Sequence, residues 1–80
     1  MQSNLLWQEL LAILEQLRIE IRWGRGEFKG GLYSTHGVQH FLLNEDHSRE
    51  FQIRILCREL SRIDLSRIYL SPAARDSIES

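Results

Sequence analysis

The 80-residue chain has one cysteine, one proline, one methionine and one lysine. It has no long apolar run. A single thiol, Cys57, cannot close an intrachain disulfide, and small secreted domains of this length usually depend on several; we therefore expect the protein in the reducing cytoplasm. No stretch approaches the roughly 18 apolar residues that a bilayer span needs. The start, Met1-Gln2-Ser3-Asn4, puts no basic residue ahead of the first apolar run, which argues against a secretory signal. Neither charge is in large excess: ten basic against eleven acidic residues give a formal net charge of -1, hence no overall field to gather nucleic acid or anionic lipid.

What is present is ordinary globular material, 42% hydrophobic and 26% charged, enough for one small domain over residues 1–80. A chain of this size buries only about 60 to 65 per cent of the surface that its unfolded form exposes. Its stability margin is correspondingly thin. All the basic residues except Lys29 are arginine, whose planar fork suits carboxylates and phosphates better than an ammonium does. Residues 18–31 carry a local excess of two positive charges, from Arg18, Arg22, Arg25 and Lys29 against Glu20 and Glu27.

From Leu5 to Leu17 the apolar spacing is helical: Leu6, Trp7, Leu10, Leu11, Ile13, Leu14 and Leu17 fall in an arc of roughly 160°, with Ser3 or Asn4 available as a cap. The period then switches to two over residues 18–23, where Ile19, Ile21 and Trp23 alternate with charged residues as in a strand with one wet face. Gly24, Gly26, Gly30 and Gly31 mark a loop. Leu32 to Thr35 resumes a strand, His36-Gly37 reads as a two-residue turn, and Val38 to Leu43 forms a third strand apolar on both sides, hence central or doubly covered. Residues 44–48 are polar and rich in capping groups, and they open a second helix running to about Ile63. Ser71-Pro72 opens a final helical turn or two to Glu79.

These elements predict an α+β fold in two layers: a helix, a three-stranded antiparallel sheet, a second helix and a short C-terminal helical turn. A fourth strand over residues 67–70 is the alternative.

Three groups of residues invite a functional interpretation. In residues 22–33 basic, aromatic and glycine residues interleave, and Trp23, Arg25, Phe28, Lys29 and Tyr33 are candidates for stacking bases and meeting phosphates of single-stranded nucleic acid. Neither phosphate-loop fingerprint is completed: no Lys-Ser or Lys-Thr follows the glycines, and Gly24-x-Gly26 does not open a helix. The bland alternative is a strand connection whose Trp23 covers the core. Arg54, Arg58 and Arg62 recur every four residues along the second helix and are candidates to meet an acidic partner, with Glu50 placed to pair with Arg54. Otherwise that row is a solvated face. His36, His40, His47 and Cys57 have donor types that suit zinc, but their spacing follows no zinc pattern, and a lone cysteine on an apolar stripe is usually a packing residue; His40 reads as a rim residue. No cofactor and no resident metal are expected, and no nucleophile is placed against a base, so catalysis is the least favoured class.

Gly30-Gly31-Leu32, Asn44 and residues 68–79, Ile-Tyr-Leu-Ser-Pro-Ala-Ala-Arg-Asp-Ser-Ile-Glu, resemble a group of short bacterial α+β proteins. In these a helix leads into a glycine-rich sheet and a second helix, and the chain closes on a tail of tyrosine or phenylalanine, proline and arginine. The resemblance implies this order of elements and no activity. Within the tail, Arg75 is placed to fold back on the body as a latch. The function expected from the sequence is a non-enzymatic interaction module that forms a homodimer. A single core of this size rarely yields more than about 3 to 5 kcal/mol without staples, and both long helices carry apolar arcs wider than one sheet face requires.

Overall fold

The computed structural model describes residues 2–79, in the order α1 (Gln2–Gln16), β1 (Glu20–Gly24), β2 (Gly31–Thr35), β3 (Val38–Asn44), α2 (Arg49–Leu60) and α3 (Pro72–Glu79). Helix α1 begins at Gln2, so Ser3 and Asn4 lie in its first turn and not ahead of it as the capping expectation had them. Its other end is closed by two backbone bonds, Ile19 N–H to the Leu14 carbonyl at 2.9 Å and Arg18 N–H to the Glu15 carbonyl at 3.0 Å. Arg18 sits between them at φ 60, the left-handed position that glycine usually fills at a helix end. It therefore terminates the helix, and β1 starts later than the alternation suggested.

The sheet is mixed and not antiparallel throughout, which corrects the expected topology. Its order is β1-β3-β2: β2 pairs antiparallel with β3, and β1 pairs parallel with β3, with Glu20 opposite His40 and Trp23 opposite Leu43. The physical reason lies in β3, the most apolar strand, which gains most from flanking strands on both sides. The glycine-rich residues 25–30 can reach across the β3 position, because an extended residue spans up to about 3.5 Å and two strand spacings are about 10 Å. Asn44 fixes that loop from below. Its Nδ2 donates to the carbonyls of Gly26 (2.8 Å) and Phe28 (3.0 Å), and its Oδ1 accepts from the Asp46 N–H (2.9 Å). At Gly30, with φ +92, an added Cβ would collide with the Leu42 carbonyl oxygen.

Between β2 and β3, His36 (φ 53) and Gly37 (φ 81) form the two-residue turn that the sequence signalled, both residues having the positive φ of a type I′ turn. Ser48 caps α2, its Oγ accepting from the Phe51 N–H at 3.1 Å. That helix ends at Leu60, three residues before the expected limit, and Ile63 lies in the turn beyond it. Residues 67–70 form no strand; the chain enters α3 with the Ser71 Oγ accepting from the Ala74 N–H at 3.1 Å. Arg75 finds its carboxylate in the same helix, Glu79 at 3.5 Å, in place of the latch to the body.

The core lies on one side of the sheet. Ile19, Phe41 and Leu43 meet Trp7, Leu10, Ile13 and Leu14 of α1, Ile53, Leu56, Cys57 and Leu60 of α2, and Ala74 and Ile78 of α3, with Ile21 and Leu32 packed against them. No helix among the described residues is long and apolar enough to cross a membrane.

Candidate interaction surface

Strand alternation divides the sheet's side chains into two sets. Ile21, Trp23, Leu32, Phe41 and Leu43 share the helix side; Glu20, Arg22, Tyr33, Val38, His40 and Leu42 share the other. None of Tyr33, Val38 or Leu42 packs against the core, and Tyr33 and Val38 are 42% and 43% exposed. The ring of Phe28 approaches this second set: a Cβ built at Gly24 would lie 3.0 Å from Phe28 and 3.7 Å from Leu42. The molecule measures 33 × 31 × 18 Å, a slab two layers thick with one face of its sheet uncovered.

At the middle of that face is His40. It is 6% exposed, although no helix covers it. Tyr33 stacks beside it at 5.1 Å between ring centroids, and on the β1 side the Glu20 carboxylate lies 3.5 Å from its Nδ1, within ion-pair reach but without hydrogen-bond geometry. Arg22 holds the same carboxylate at 3.5 Å. His40 is thus central and walled in, not the rim residue expected from its place in the strand. One carboxylate and one guanidinium leave the patch neutral, framed by aromatic and aliphatic side chains.

The five residues proposed for nucleic acid do not share one surface. Tyr33 and Phe28 belong to the open face, whereas Trp23 points to the helix side, where its ring lies 6.2 Å from Trp7. There the Arg49 guanidinium covers the Trp7 ring at 3.8 Å, a cation–π contact. Trp23 nevertheless stays 44% exposed, so it neither completes an open aromatic row nor seals the core. Arg25 pairs with Glu45 at 3.4 Å beyond the end of the sheet, and Lys29 is exposed in the loop.

The arginine row of α2 is also broken up. Arg54 and Arg58 are exposed on the helix, but Arg62 lies past its end, and Arg58 and Arg62 converge on Glu59 at 3.9 and 3.8 Å. Among the described residues no Glu50–Arg54 ion pair forms; Arg54 sits 5.8 Å above the Phe51 ring. The possible zinc donors are dispersed. His36 is in the hairpin turn, His40 in the open face, and His47 stands edge-on to Phe51 at 4.5 Å. Cys57 lies in the core, where burial pushes its thiol pKa up and suppresses the thiolate that metals and electrophiles require. Among the described residues no three His, Cys, Asp or Glu side chains come together.

Sequence reasoning missed the Asn44–Gln52 pair. Gln52, 5% exposed, donates from Nε2 to the Asn44 carbonyl (2.8 Å) and the His47 carbonyl (3.1 Å), tying the end of β3 to the start of α2. The available signal was a polar residue closing an apolar strand and a glutamine among the apolar positions of a helix. Comparison with protein families, with characterised proteins and with solved structures gives no match for this chain.

Proposed function

We propose that this protein is a small cytoplasmic, non-enzymatic interaction module that self-associates. One observation carries the proposal: a sheet face left uncovered, electrically balanced and framed by Tyr33, Val38, Leu42 and Phe28 around a walled-in His40. The accessible surface supports it. The chain exposes 5626 Å² at 9.5 kDa, where the scaling for monomeric proteins gives about 5,000 Å². A neutral, aromatic-rich patch fits a protein surface better than a phosphate backbone, which calls for a basic footprint.

Sedimentation equilibrium tests it directly. A reversible dimer at high micromolar concentration is the expected result, and a strict monomer over that range overturns self-association. The nucleic-acid alternative predicts quenching of Trp23 fluorescence on titration with a single-stranded oligonucleotide at low salt. No quenching is expected here.

A further inference from the structure

The two edges of the sheet are unlike in a way that identifies how two copies join. β1 carries Glu20 and Arg22, and charged side chains on an edge strand discourage pairing with another chain. β2 reads Gly-Leu-Tyr-Ser-Thr, with no charge and no proline, and its last three residues are exposed. Among the described residues no backbone hydrogen bond from outside the sheet reaches Gly31–Thr35. The strand's outer row of donors and acceptors is open.

The register fixes which groups these are. A two-residue turn makes Thr35–Val38 a hydrogen-bonded pair, so by alternation Tyr33–His40 and Gly31–Leu42 are hydrogen-bonded too. The N–H and C=O groups of Leu32 and Ser34 then point away from β3. They lie one residue on either side of Tyr33, the middle of the strand, and this makes the edge self-complementary in the antiparallel sense.

We propose that two copies of the chain pair through β2 about a two-fold axis at Tyr33, forming one continuous sheet in which β2 lies beside the β2 of the second copy. This proposal rests on the self-association proposed above and specifies its geometry. Leu32 pairs with Ser34 of the second copy and Ser34 with its Leu32, which satisfies all the outward groups of both residues through four hydrogen bonds. The Tyr33 residues face each other in the close, non-hydrogen-bonded position, about 4.5 Å between Cα atoms, with their rings beside those of His40. The same operation on β1 would centre on Arg22 and oppose two guanidinium groups, which is unfavourable. Pairing β1 with β2 would be head-to-tail and would leave a dimer with one free edge of each kind. A second copy is thus the occupant that the β2 edge fits, and the two open faces merge into one.

The test uses the whole chain with two variants and one measurement that needs no variant. Ser34→Pro removes an outward N–H at a non-hydrogen-bonded position of the β2–β3 ladder, where an edge strand tolerates proline, and should raise the dimer dissociation constant about tenfold or more. Arg22→Glu reverses a charge on the open face without touching the β2 edge, and so tells a face contact from an edge contact. In the wild type, amide exchange at Leu32 and Ser34 should slow as concentration drives dimer formation. If the dimer persists in Ser34→Pro, or if these two amides exchange equally fast in dilute and concentrated protein, the edge proposal is overturned. If Arg22→Glu dissociates the dimer and Ser34→Pro does not, contact runs through the open face: self-association stands and the edge does not. A wild type that stays monomeric overturns both. Circular dichroism and the amide measurement separate loss of pairing from loss of fold.

Discussion

Strands β1 and β2 are both five residues long and both lie beside β3, yet the chain holds them by different means. β2 is joined to β3 by a two-residue turn and is kept in place by its own connection. β1 meets β3 in parallel, a slightly weaker pairing, and beyond the helix end at Arg18 just before it depends on contacts distant in sequence: the loop clamped by Asn44 and the Glu45 N–H donating to the Gly24 carbonyl at 2.8 Å. The strand held by distant contacts carries the charges, and the strand held by a local turn has a bare edge. In a small domain the edge that can be offered to a partner is the one whose place in the fold does not depend on that partner.

That contrast can be broken most severely at Asn44. Asn44→Ala leaves the carbonyls of Gly26 and Phe28 without their donor and should cost about 2 to 3 kcal/mol, most of the margin of a core this size. The check is urea denaturation, with amide exchange accelerating at β1 before β2. A smaller effect of opposite sign is expected at the other end of β1: Arg18→Gly relieves a left-handed residue and should stabilise by about 1 kcal/mol, raising the urea midpoint at unchanged slope. Smallest is the hairpin. His36→Asn suits the type I′ turn better and should add about 0.5 kcal/mol or less, seen as a small rise in melting temperature. Equal effects at Asn44 and His36 would show that the two strands are not held differently.

Much of this architecture is legible in the sequence because it is local. The His36-Gly37 turn, the Ser71-Pro72 helix start and the helical arc from Leu6 to Leu17 each follow from a few neighbouring residues. The double-sided apolar character of Val38–Leu43 marks the central strand. Periodicity, however, reports which side a residue faces and not which strand lies beside it, so β1 cannot be assigned to the far edge of β3 from its own pattern. The candidate surface is less legible still. Tyr33 and Phe28 are found from their types and the side of Trp23 from its alternation with Ile21, but the enclosure of His40 depends on pairing His40 with both Glu20 and Tyr33, residues apart in the chain. Asn44 acts through backbone carbonyls of a loop 16 to 18 residues away, and no side-chain pattern announces such partners.

The parallel register of β1 also has a consequence in time. The β2–β3 hairpin closes across two residues, an event of about 1–10 µs, whereas joining Glu20 to His40 must first close a loop of about twenty residues. The hairpin therefore forms ahead of β1. In the interval β3, with Phe41, Leu42 and Leu43, has its second edge bare, and the nascent hairpin can be capped by β1 or by a stray strand from another molecule. Refolding yield should fall with protein concentration more steeply than native solubility does. Mutations in β1 should speed unfolding with little effect on the folding rate, while those in the hairpin slow folding.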